Sequence, residues 1–172
     1  MTEVVVDGGR DVEDLDALYA ASYRRLVVQM YAICGDLADA EDAVQEAFIT
    51  ALRKRRTLRS VHNPEAWIRT VALRRLHGGW RHLAVVRRHQ ATQREPEPAV
   101  GVGPEHVALV TALGLLDPGQ REVVVLHHLG DLSVAEIADQ LGIPVGTVKS
   151  RLSRGRERLG ELLTEREEPS HG

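Results

Sequence analysis

Six polar side chains in one short stretch, Thr147, Lys149, Ser150, Arg151, Ser153 and Arg154, gather hydroxyl, ammonium and guanidinium donors. Donors at that density suit phosphate oxygens and the edges of bases. Between and beyond them Val145, Val148, Leu152 and Leu159 share one helical face, which leaves the polar groups on the others. Upstream, Ser133 and Glu136 are spaced as a capping box. The serine accepts from a helix N-terminus and the glutamate reaches back to the serine amide. The helix so opened carries Ile137, Ala138 and Leu141 and stops at Gly142. Two short helices across a glycine turn, with a small residue at Ala138 where they must approach, make a helix-turn-helix. Its second helix fits a major groove, where arginine reads guanine or holds phosphate. An ordinary helical hairpin with a solvated face is the alternative; the cap, the turn glycine and the basic run together argue against it.

Other chemistries lack their residues. No glycine-rich phosphate loop, nucleophile–base pair or carboxylate dyad occurs, so no enzyme is expected. His127-His128 ends a helical run with no third ligand spaced for a metal, and neither metal nor cofactor is expected. Cys34 is the only cysteine, which excludes an internal disulfide. At a helix end it reads as a packed thiol rather than a redox sensor.

The elements that must position these groups are helical. Of the 172 residues 43% are hydrophobic but only 3% aromatic, so Val, Leu and Ala fill the core, which favours small helical units. No apolar run approaches the roughly 18 residues of a membrane span. Met1 to Arg10 has no basic start of the kind a signal peptide carries, and the expected compartment is the cytoplasm. The net charge of −3 hides an asymmetry: residues 1–52 carry −8, residues 53–94 carry +11 and residues 95–172 carry −6. An acidic block followed by a basic one fits two partners of opposite charge, nucleic acid among them, and equally fits solvated helix faces of mixed sign.

Leu15, Leu18, Tyr19, Ser22, Leu26, Met30 and Ile33 recur at helical steps from about Asp14 to Cys34, and Gly35 ends that helix. A second covers roughly Asp39 to Arg56, with Asp36 or Asp39 as cap and Ala40, Val44, Ala47, Phe48, Ala51 and Leu52 as buried stripe. Asn63-Pro64 starts a third, whose apolar face is Trp67, Ile68, Val71, Ala72 and Leu76 and which Gly78-Gly79 interrupts. Prolines, glycines and glutamines without periodicity then mark a linker. Helical runs follow at 105–116, 118–129, 133–141 and 145–163. The expected fold is all-α: two small helical domains, 14–82 and 106–165, joined by a flexible linker at 83–105. Tails at 1–13 and 166–172 flank them, and no appended C-terminal domain is expected.

Asp117-Pro-Gly-Gln-Arg-Glu-Val-Val-Val-Leu126, followed by Leu132-Ser-Val-Ala-Glu-Ile-Ala-Asp-Gln-Leu-Gly-Ile-Pro-Val-Gly-Thr-Val-Lys-Ser-Arg-Leu152, resembles region 4 of extracytoplasmic-function sigma factors. Gly35-Asp36, Ala40-Glu-Asp-Ala-Val-Gln-Glu-Ala-Phe48 and Pro64-Glu-Ala-Trp-Ile68 resemble region 2. The pairing, in this order, is specific to sigma factors. The resemblance implies a chain that binds core RNA polymerase and directs it to promoters. Region 2 would dock on the clamp coiled coil of the largest subunit through Asp39, Glu41, Asp42, Gln45 and Glu46. It would also help open the minus-ten element, for which Arg69, Thr70, Arg74, Arg75, His77, Trp80 and Arg81 are the local candidates. Trp67 is read as a core residue, and Arg74 stands where the family usually has asparagine. Region 4 would lie on the flap of the second-largest subunit and read the minus-thirty-five element with Ser133, Thr147, Lys149, Ser150, Arg151, Ser153 and Arg154. Many relatives are held inactive by an anti-sigma partner between the two regions, which the linker permits here. The competing reading is a helix-turn-helix regulator that acts without polymerase.

Overall fold

In a computed structural model the helical spacing of leucine, valine and alanine resolves into eight helices among the described residues. The structure describes residues 8–87 and 104–167, with side chains over 13–79 and 108–164. The helices are α1 (Gly8–Cys34), α2 (Leu37–Arg53), α3 (Arg55–Ser60), α4 (Pro64–Arg87), α5 (Pro104–Gly114), α6 (Pro118–His128), α7 (Val134–Leu141) and α8 (Val145–Glu167). No strand occurs among the described residues, so the fold is all-α.

Local chemistry sets the boundaries. Gly35, at φ 75°, turns the chain out of α1, and the Asp36 carboxylate, not that of Asp39, caps α2 by accepting from Asp39 N at 3.0 Å. The second helix is shorter than its sequence implies. Lys54 leaves helical geometry (φ −109°, ψ 31°), and the basic run restarts as α3. Asn63 Oδ1 accepts from Ala66 N at 3.0 Å and opens α4. That helix does not break at Gly78-Gly79 but continues to Arg87. A helical glycine costs only about 1 kcal/mol relative to alanine, which a docked 24-residue helix absorbs. Residues 83–87 of the expected linker are therefore helical, 104–105 open α5, and 88–103 lie outside the described residues.

Helices α1, α2 and α4 pack around Leu26, Met30, Ile33, Val44, Ala47, Phe48, Ile68 and Leu76. Helices α5 to α8 enclose Leu113, Val123, Val125, Leu126, Ile137, Val148 and Leu152. The buried apolar residues form one cluster through both halves, because α1 touches α5 and α6 while α4 touches α7. Three residues assigned to apolar stripes lie at the surface instead: Tyr19 is 42%, Val145 43% and Leu52 48% exposed. Tyr19 still packs its ring on Phe48 of α2, with centroids 4.9 Å apart. Among the described residues no helix is long and apolar enough to cross a membrane.

Candidate nucleic-acid interface

The helix-turn-helix is built as the sequence implies. Ser133 Oγ accepts from Glu136 N at 3.2 Å, and Glu136 Oε2 accepts from Ser133 N at 2.8 Å. Hydrogen bonding to its carboxyl from the Ser133 hydroxyl first, then from the Ser133 amide, holds Glu136 below the ordinary carboxylate range. Gly142, at φ 64°, closes α7. In α8, Val148 and Leu152 are buried, while Lys149, Ser150, Ser153 and Arg154 face solvent. Thr147 and Arg151 are half-buried. The Arg151 guanidinium lies 3.0 Å from where a side chain would start at Gly119, so it folds over the first turn of α6. Ser133 is exposed, but its hydroxyl already serves as the cap. Gly155 lets α8 approach α6: a Cβ there would stand 2.7 Å from Val124 Cγ2.

The expected minus-ten residues separate into three groups. Arg74 and Arg75 are exposed. Arg74 and Thr70 join Thr50, Lys54, Thr57, Trp67 and Val71 around an open cavity of about 490 Å³ between α2, α3 and α4. Trp67, expected in the core, is half-buried and forms a wall of this cavity. A second group is turned inward. Arg69 is 4% exposed; its Nε donates to Gln29 Oε1 at 2.9 Å and its Nη2 to Glu65 Oε1 at 2.8 Å. Burial first, then nearby Arg25, lowers its pKa against the opposing pull of Glu65. Arg69 is thus not a free DNA contact in this structure. It occupies a position in register with Glu65, Ala72 and Leu76, and that spacing was the available signal. His77 Nε2 lies 2.7 Å from Glu122 Oε1 and meets the C-terminal half. Trp80 and Arg81 belong to α4, and their side chains lie outside the described ones.

On α2, Glu41, Asp42 and Gln45 are exposed, and Asp39 and Glu46 half-buried. Gln45 Nε2 donates to Tyr23 Oη at 3.3 Å, and Glu46 sits 3.9 Å from Arg53. Ile49 and Leu52 are exposed beyond them at helical spacing, so the acidic face runs on into an apolar end.

The residues read as inert are engaged locally. His128 Nε2 accepts from Arg156 Nε at 3.0 Å, and burial with Arg156 and His127 lowers its pKa. His127 Nδ1 donates to the Leu132 carbonyl at 2.8 Å. Burial pushes the Cys34 thiol up to about 11, and it donates to the Asp36 carbonyl at 3.1 Å.

Comparison with known proteins bears on both halves. The family description "Sigma-70 region 2" matches residues 18–84 and "Sigma-70, region 4" matches residues 106–159. The RNA polymerase sigma-E factor of Streptomyces coelicolor is 33% identical over 77% of this chain and 76% of its own length. The ECF RNA polymerase sigma factor SigW of Bacillus subtilis is 30% identical over 91% and 89%. Among solved structures, the sigma factor RpoE of Bartonella quintana, crystallised with the anti-sigma factor NepR, superposes with a TM-score of 0.76. It is 25% identical, over 88% of this chain and 98% of that one. With both regions present, in order and on the same all-helical frame, the chain belongs to the extracytoplasmic-function RNA polymerase sigma factors.

Proposed function

We propose a division of labour among the residues of this sigma factor. The solvated face of α8 reads the minus-thirty-five element: Lys149, Ser150, Ser153 and Arg154 are exposed donors on a helix anchored by Val148 and Leu152. Thr147 and Arg151 flank that face, and Ser133 supports it as a cap. The cavity at Trp67, Thr70 and Arg74 takes an unstacked base of the minus-ten strand, with Arg75, Lys54 and further α4 residues on the phosphates. The α2 face of Asp39, Glu41, Asp42, Gln45 and Glu46, continued by Ile49 and Leu52, docks on a basic helix of core polymerase, and α5–α8 rest on the flap. Residues 14–82 and 106–165 form the two working units. Nucleotide addition belongs to the polymerase, the chain acts in the cytoplasm, and an anti-sigma factor restrains it.

The observation that carries this reading is the contrast on α8 between buried Val148 and Leu152 and exposed Lys149 and Arg154. Run-off transcription by full-length chain and core polymerase tests it. Arg154→Ala should cost about 1–3 kcal/mol of discrimination between promoter and scrambled DNA. Lys149→Ala should weaken both alike and lower the salt slope by about 1. If both variants bind both DNAs as wild type does, α8 is not the reader. Reversing charge at Asp42 and Glu46 together should weaken core binding without changing helix content; unaltered affinity removes that face from the docking site.

A further inference from the structure

The cavity between α2, α3 and α4 owes its outline to the break at Lys54. Helix α2 ends there, with the Lys54 amide on the Thr50 carbonyl at 2.9 Å, and the chain restarts as α3. Thr50, Lys54 and Thr57 thus line the cavity from this corner. Trp67, Thr70, Val71 and Arg74 line it from α4, where their three- and four-residue spacing puts them on one face.

The hydrogen-bonding groups of this lining are one-sided. Neither a carboxylate nor a carboxamide belongs to it. Thr70 Oγ1 donates to the Ala66 carbonyl at 2.9 Å and accepts from Gln140 Nε2 at 3.3 Å, so its proton is committed. Gln140 belongs to α7, which meets α4 at the seam between the two halves. Along that seam Gln29 Nε2 also donates to the Leu129 carbonyl at 3.4 Å, and Arg121 to the Ile33 carbonyl at 3.0 Å, capping the last turn of α1. Lys54 and Arg74 are exposed, and among the described residues neither has an ion-pair partner. Ammonium, guanidinium and indole groups donate and do not accept. Only the hydroxyls of Thr50 and Thr57 can do either.

The four bases answer such a lining differently. Guanine presents two adjacent acceptors, O6 and N7, which match the arginine fork. Adenine and cytosine carry an amine at the corresponding place, and an amine set against a guanidinium leaves donors facing donors. Thymine offers one acceptor, O4, beside its methyl group. Lysine, a point charge, suits phosphate, whereas the planar guanidinium suits a two-point contact. We propose that this cavity selects guanine on the minus-ten strand. Arg74 reads O6 and N7, Trp67 carries the ring face, and Lys54 holds the adjoining phosphate. Asparagine, which the family usually has in place of Arg74, pairs with adenine N6 and N7 instead and would not favour guanine. The inference rests on the assignment of a minus-ten base to this cavity given above and adds which base it is.

Holoenzyme made from the full-length chain and core polymerase tests it on a pool of templates randomised through both promoter elements, with the transcribed templates sequenced. Wild type should favour guanine by about 5- to 150-fold at one position of the minus-ten strand, the range for a bidentate contact. Arg74→Asn, at an exposed site, should lose that preference and keep those of the minus-thirty-five element. On one selected promoter, 7-deazaguanine at that position lacks the N7 acceptor. It should lower transcript at sub-saturating wild-type holoenzyme by about five- to ten-fold, and should make no difference to Arg74→Asn. A guanine preference that survives Arg74→Asn, adenine or cytosine at the position that Arg74→Asn alters, or indifference of wild type to 7-deazaguanine overturns the selection. Trp67→Ala, checked for an unchanged melting profile, separates this from the underlying assignment. If it erases a minus-ten preference for another base, the cavity still takes a base and only the choice of guanine falls. If Trp67→Ala and Arg74→Asn both keep every minus-ten preference of wild type, the cavity takes no base and the division of labour fails with the inference.

Discussion

Helices α4 and α8 are nearly equal in length, 24 and 23 residues, and both are rich in arginine, yet they treat that residue oppositely. Helix α8 rests on α5, α6 and α7 along one stripe, and Arg154 stays in water. Helix α4 is enclosed by α1, α2, α3 and α7, and Arg69 is almost wholly buried between Glu65 and Gln29. An identical side chain is solvated in one setting and an internal tie in the other. The number of covered faces decides which, because a guanidinium can leave water only where fixed acceptors replace it.

The largest test of this contrast lies beneath α8. Leu152→Ala should lower stability by about 2–5 kcal/mol in denaturant unfolding, since a buried leucine is lost from a packed stripe. A loss below about 1 kcal/mol would mean that α8 is loosely seated, and its outer face would lose its meaning. Next comes the arginine pair itself. Arg69→Ala leaves Gln29 and part of Glu65 without a donor and should cost about 1–3 kcal/mol. Arg154→Ala should fall within about 0.5 kcal/mol of wild type. Equal effects would erase the contrast. The smallest effect is one of pH. The folded-state pKa of His128 is lowered, so its neutral form suits the fold, and stability is fully present above the unfolded value of 6.5. It should decline as pH falls from 6.5 toward the lower folded pKa, as protonation removes the acceptor for Arg156. His128→Gln should flatten that part of the stability–pH curve; an unchanged slope would assign it elsewhere.

How much of this was legible before folding follows the same division. The helix-turn-helix reads directly because its signals are local: Ser133 with Glu136, Gly142 and the Val148–Leu152 stripe act within a few residues of one another. The caps at Asp36 and Asn63 are legible for the same reason. The break at Lys54 was not, since neighbouring residues favour helix and the arrangement of α2, α3 and α4 overrides them. Nor was the continuity of α4, where docking outweighs two glycines. Gly155 gave no hint as a contact glycine, because its meaning lies in Val124, 31 positions away in the chain. Arg69 was misread for a related reason: its charge pointed outward, while its register with Ala72 and Leu76 pointed inward, and Gln29 made the inward solution tenable.

The bonds that join the halves also bear on how the chain reaches its fold. Arg121 and Ile33 are 88 residues apart, and Gln29 and Leu129 are 100 apart, whereas the contacts inside each half close far shorter loops. Loop-closure entropy grows with the logarithm of that separation, so the seam forms after the helices on either side have packed. On a ribosome the order is enforced further. Helix α4 ends at Arg87, and at roughly 5–20 residues per second the remaining chain takes about 4–17 s to emerge. The nascent N-terminal half therefore presents its α4 face uncovered for seconds before its own C-terminal half exists to close over it. Pulse-labelled hydrogen exchange would register this as protection in α2 and in the middle of α4 before the last turn of α1 is capped.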